Sequence, residues 1–103
     1  VAHEDVALEA LLLEDRTAAT RFVGRVLGPL AQDDPRMAEL RSTLRRYFDA
    51  DHSLAKVAAL EHISKNTVTY RINKALDLCG YAGATTTDLR AALRIHHWLE
   101  DDA

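Results

Sequence analysis

The sequence predicts an all-α domain, a compact bundle of about five to six helices that contains a helix-turn-helix. Three observations predict it. Apolar residues recur at helical spacing through most of the chain. The composition is 48% hydrophobic but only 6% aromatic, with 4 Gly and 2 Pro, which suits a core of packed Leu, Val, Ile and Ala. Finally, Ser53–Ile72 reads as two short helices joined by a tight turn at Glu61–Ile63, the second keeping a polar face that no packing requires.

The elements follow in order. Val1–Leu13 is acidic and then strongly apolar, with Val6, Leu8, Leu11 and Leu12 on one side of a short helix. It reads as the remnant (1–14) of a preceding regulatory region, and 15–103 as the domain itself. Asp15 or Thr17 caps the next helix, whose stripe is Ala19, Phe22, Val23, Val26 and Leu27. Gly28-Pro29 ends it, because Gly tolerates the left-handed cap and Pro cannot continue the ladder. Asp34 then caps a helix with Pro35 at its first position and Met37, Leu40, Leu44, Tyr47 and Phe48 turned inward. Arg41, Arg45 and Arg46 are expected on its flanks and outer side.

Ser53 caps the first helix of the two-helix unit, where Leu54, Val57 and Ala58 share a face and the small Ala58 permits a close crossing. Ile63 plugs the turn and Ser64 caps the second helix, about 64–79. Its inward stripe is Val68, Ile72, Ala75, Leu76 and Cys79. Gly80 is expected to end it, with a loop over Tyr81–Thr87. Thr85 and Asp88 have capping-box spacing. The last helix, Asp88–Leu99, buries Leu89, Ala92, Leu93, Ile95 or His96, and Leu99, leaving Trp98 partly exposed.

The outer arc of the second helix holds Asn66, Tyr70, Asn73 and Asp77, flanked by Thr67, Thr69 and Lys74, with Lys65 near the helix start. These side chains suit double-stranded DNA. Asn pairs bidentately with adenine, Thr meets base edges, Tyr reaches phosphate, and Lys and Arg neutralise phosphates. The net charge of −3 argues mildly against such a partner. Its distribution argues for it, since Arg41–Leu76 holds seven Lys/Arg against three Asp/Glu. An ordinary solvated helix face remains the alternative on periodicity alone.

The segment Lys65-Asn66-Thr67-Val68-Thr69-Tyr70-Arg71-Ile72 resembles the (R/K)-N-T-(L/V)-x-Y-R-(L/I) pattern of the C-terminal helix-turn-helix in PucR/CdaR-type bacterial transcriptional regulators. The likeness extends through Phe22–Leu30 and Leu40–Phe48 and covers roughly Asp15 to Leu99. More distantly the unit is similar to the Fis-type DNA-binding motif. The resemblance implies a sequence-specific DNA-binding domain at the C-terminal end of a longer transcription factor. The candidate DNA-binding residues are Ser64, Lys65, Asn66, Thr67, Thr69, Tyr70, Arg71, Asn73 and Lys74. Helix geometry assigns Asn66, Thr69 and Tyr70 to bases or phosphate, and Lys65, Thr67, Asn73 and Lys74 chiefly to the backbone. Arg71 borders the buried stripe, where a structural ion pair and a phosphate contact are both open. Two positions depart from the pattern. Glu61 stands where an apolar residue is usual, with Leu60 expected to supply the bulk by a slight rotation of the first helix or an altered turn. Ser64 replaces a His, removing one possible phosphate contact.

Other chemistry finds little support. The adjacent His96 and His97 point about 100° apart on a helix and cannot easily share a metal. Cys79, the single cysteine, lies on the buried stripe, excludes an internal disulfide and fits a reducing cytoplasm. No nucleophile triad, phosphate loop or carboxylate pair stands out, so neither an enzyme nor a cofactor is expected. No run approaches the roughly 20 apolar residues of a membrane span, and Glu4 and Asp5 are unlike a signal peptide. The competing class is a helical dimerisation or partner-docking module without its own DNA specificity. A homodimer or higher oligomer is compatible with either reading.

Overall fold

The computed structural model describes residues 15–79 and 85–101. Among them are five α-helices: α1 (Arg16–Leu27), α2 (Pro35–Asp49), α3 (Leu54–Glu61), α4 (Lys65–Leu78) and α5 (Thr86–Asp101). A 3-10 turn, Gly28–Ala31, joins α1 to the segment before α2, and no strand occurs among the described residues. The fold class is all-α, as expected. The 1–14 segment, the Gly80 stop and Tyr81–Ala84 of the expected loop lie outside the described residues.

The caps match their sequence signals. Asp15, Asp34, Ser53 and Ser64 each accept a hydrogen bond from the backbone N–H three residues on, at 3.0 to 3.2 Å. Gly28 stops α1 at φ 55° and ψ −133°, a backbone region that side chains disfavour. Thr85 and Asp88 form a reciprocal capping box, Asp88 N–H donating to Thr85 Oγ1 at 3.1 Å and Thr85 N–H to Asp88 Oδ2 at 3.3 Å. With Thr85 as the cap, Thr86 and Thr87 are helical, so α5 starts two residues before the expected Asp88.

α2 lies at the centre, touching the 3-10 turn, α3, α4 and α5, while α1 packs chiefly on α5. One core joins them. Val23, Val26 and Leu27 of α1, Leu30 of the turn, Leu40, Leu44 and Phe48 of α2 meet Val57, Val68, Ile72, Leu93 and Ile95. Between α2 and α3, Asp51 and His52 both take positive φ (56° and 65°). His52 is anchored there, its N–H bonded to Tyr47 O at 2.8 Å and its ring stacked on Tyr47 at 4.9 Å.

Three side chains depart from expectation. Arg41 is not on the outer side of α2 but buried, 3% exposed. Its Nη1 donates to Leu30 O at 2.6 Å and Gln32 O at 2.8 Å, and Nη2 stands 3.6 Å from Glu100. The carbonyls of Leu30 and Gln32 at the end of the 3-10 turn face this position, Gln32 O also accepting from the Asp34 N–H at 3.1 Å, and they make a buried cation tenable. Leu76 is 43% exposed rather than inward. At about 100° per residue it falls at the rim of an arc centred on Val68, Ile72 and Ala75. Leu60 is 61% exposed and supplies no bulk to the turn. α3 is not rotated to bring it in; Glu61 itself takes the inward place.

Candidate nucleic-acid interface

The turn between α3 and α4 fixes how α4 is presented. His62 adopts the left-handed conformation (φ 57°, ψ 44°), and the Ile63 N–H bonds to Ala58 O at 3.1 Å, which reverses the chain within two residues. Ile63 packs against the core. Ser64 then opens α4, accepting from the Thr67 N–H at 3.1 Å and sharing a hydrogen bond with Thr67 Oγ1 at 2.9 Å. Its hydroxyl is therefore engaged in capping.

Val68, Ile72 and Ala75 seat α4 on the core, and Cys79 closes the stripe half-buried. Burial pushes the Cys79 thiol up, so it stays protonated and donates to Ala75 O at 3.4 Å. On the opposite side Lys65, Asn66, Thr69, Tyr70, Asn73 and Lys74 are exposed, and Thr67 is intermediate. Among the described residues, the side chains of Lys65, Asn66, Thr69, Asn73 and Lys74 have no hydrogen-bond or ion-pair partner. Tyr70 is 58% exposed with its ring beside the Arg36 guanidinium, 5.8 Å from centroid to Cζ. Eight of the nine candidate residues thus lie at or beside the outer arc. Three amide or hydroxyl groups and one phenol share a face with no packing duty, with Lys65 and Lys74 at its two edges.

Arg71 stands apart from that group. Its side chain is 18% exposed, with Nη1 3.5 Å from Glu61 Oε1 and Nη2 3.5 Å from Glu39 Oε2. Glu61 in turn is 8% exposed and accepts from Thr43 Oγ1 at 2.8 Å and Arg46 Nη1 at 3.1 Å. Glu39 also pairs with Arg36 at 3.0 Å. Arg36 and Glu39 are not among the sequence candidates. Their i,i+3 pairing is legible in sequence, whereas their position beside Tyr70 and Arg71 comes from the packing of α2 on α4.

The histidine pair has a structural setting. His96 Nδ1 lies 3.3 Å from Glu100 Oε1, and burial, then the nearby Arg41 charge, hold its pKa below the usual 6.5. Among the described residues no group of three or more His, Cys, Asp or Glu is placed to hold a metal ion, and no helix is long and apolar enough to cross a membrane.

Comparison with known proteins points the same way. The family model of the PucR C-terminal helix-turn-helix domain matches residues 40–96. The chain is 34% identical over 82 residues to the transcriptional activator PmfR of Paenarthrobacter nicotinovorans, covering 80% of this chain and 17% of that protein. It is 32% identical over 103 residues to the uncharacterized protein YsfB of Bacillus subtilis (strain 168), covering 99% of this chain and 27% of that protein. The chain therefore spans about a quarter or less of the length of these two relatives. No solved structure gives a significant match.

Proposed function

The chain belongs to the family of PucR C-terminal helix-turn-helix domains, and on that premise we propose that it is the sequence-specific DNA-binding domain of a bacterial transcriptional regulator, inserting α4 into the major groove. The observation that carries this reading is the outer arc of α4. Asn66, Thr69, Tyr70 and Asn73 are exposed on a helix whose other side is committed to the core. Asn66, Thr69 and Tyr70 read bases or phosphate, while Lys65, Thr67, Asn73 and Lys74 engage the backbone. Ser64 serves mainly as the cap, and Arg71 as an anchor.

The similarity to a transcriptional activator supports a role in transcription, and the C-terminal place in the family's description supports the reading of 1–14 as the end of a preceding regulatory region. The domain acts without catalysis or cofactor, in the cytoplasm. As a homodimer or higher oligomer it would meet half-sites about 34 Å apart.

A duplex selected from a random pool by the chain itself supplies the probe. Asn66→Ala is expected to weaken binding to it by about 1–3 kcal/mol, the usual worth of a bidentate base contact. Tyr70→Ala weakens it as well, with the helical circular dichroism of both variants unchanged. Unchanged affinity in both would sink the assignment. Absence of binding by the unaltered chain to any duplex at low salt would instead favour the partner-docking module.

A further inference from the structure

Glu61 is the last residue of α3, and its side chain is nearly enclosed, 8% exposed. A carboxylate in that position persists only with polar partners around it. Three reach it from two other helices: Thr43 and Arg46 from α2, at 2.8 and 3.1 Å, and Arg71 from α4, at 3.5 Å. Arg71 continues to Glu39 at 3.5 Å. A line of alternating charge thus runs from the turn toward the exposed face of α4.

Stability alone does not account for this acid. Well-packed apolar residues often replace a whole buried ion pair with no loss, so a buried pair such as Glu61–Arg71 is weak evidence for stability. A carboxylate does one thing a leucine cannot, which is to occupy a guanidinium. Thr67, Arg71 and Lys74 follow one another at i, i+4 and i+7 along one side of α4. Released from its acids, Arg71 would stand between two residues assigned to the DNA backbone, with a side chain long enough to join them. A cation on phosphate adds affinity for every duplex and discriminates among none.

Resting on the DNA-binding reading above, we propose that Glu61 is a specificity-determining positioning residue: by holding Arg71 in an ion pair it keeps that cation off the phosphate backbone and fixes the roll of α4 that presents Asn66, Thr69 and Tyr70. The acid at the turn thereby lowers binding to unrelated DNA relative to the cognate site.

Binding of the 103-residue chain to a random duplex and to a duplex selected by the unaltered chain, across a salt series, tests this. Four proteins are compared with the parent: Glu61→Gln, Glu61→Leu, Arg71→Ala and Glu61→Gln/Arg71→Ala. Both Glu61 variants should show a random-duplex salt slope steeper by about one and a selected-to-random affinity ratio reduced several-fold. Arg71→Ala should leave the slope unchanged in the parent but reduce it by about one in the Glu61→Gln background. A mere change in net charge would shift the slope equally in both backgrounds, and that result would overturn the proposal. So would parental slopes and ratios in both Glu61 variants. Glu61→Leu needs no polar partner, so it keeps the test decisive should Glu61→Gln unfold in a parallel thermal melt. If the parent binds neither duplex, the DNA-binding reading falls and this inference with it. A parent that binds while the variants keep its ratio removes this inference alone.

Discussion

Replacing Arg41 should unfold this domain more readily than replacing any other cation in it. The guanidinium donates to two backbone carbonyls, Leu30 O at 2.6 Å and Gln32 O at 2.8 Å, inside a site where the residue is 3% exposed. A hydrogen bond from a charged group contributes about 1.5–3 kcal/mol, so two contribute ~3–6 kcal/mol. Against this stands the desolvation of the cation, which lowers the Arg41 pKa and is only partly offset by Glu100, whose carboxylate is 3.6 Å away but half exposed. The net expectation for Arg41→Ala is a loss of about 3–5 kcal/mol, the range for breaking a buried charged interaction. That is a large part of the 5–15 kcal/mol typical of a domain. Arg41→Met keeps most of the side-chain volume yet takes this donor from Leu30 O and leaves Gln32 O with the Asp34 N–H at 3.1 Å, and should still lose about 1–3 kcal/mol. Urea unfolding followed by circular dichroism measures both. With a slope of about 1–3 kcal/mol per molar, the midpoint of Arg41→Ala should drop by at least about 1 M. Losses under about 1 kcal/mol in both variants would refute the view that Arg41 ties the 3-10 turn to α2.

Two further outcomes follow from the same geometry. Ser64→Ala removes the cap that accepts from the Thr67 N–H at 3.1 Å and should destabilise the chain by about 1 kcal/mol, measured by the same unfolding curves. His96 is held below its ordinary pKa of 6.5 by burial and by Arg41, with Glu100 and the Ala31 carbonyl opposing. The unfolded chain therefore binds this proton first as pH falls. The stabilising contribution is complete above about 6.5 and is lost as pH drops from there toward the folded pKa. Unfolding free energies taken between pH 8 and 5 should decline with acid, and His96→Gln should flatten that decline; identical profiles would count against it.

The helices, their starts and most of their inward stripes were legible in the sequence, because each depends on neighbours in the chain. Asp15, Asp34, Ser53 and Ser64 cap through hydrogen bonds three residues long, and the Lys65–Ile72 pattern marks α4 wherever that helix is finally packed. The outer arc of α4 followed from the same periodicity. Tertiary structure decided what stands opposite each face. Periodicity reports the angle of a side chain around its own helix and says nothing of the groups that meet it. Arg41 went inside because the carbonyls of Leu30 and Gln32 wait there, and Glu61 because Thr43, Arg46 and Arg71 converge on it from two other helices. Leu60 and Leu76, apolar and near the expected stripes, stayed out because no element covers them among the described residues. Local pattern thus determined which helix carries the candidate reading face. The long-range meeting of charges determined that Arg71, for which the sequence leaves an ion pair and a phosphate contact both open, is held at the turn by Glu61.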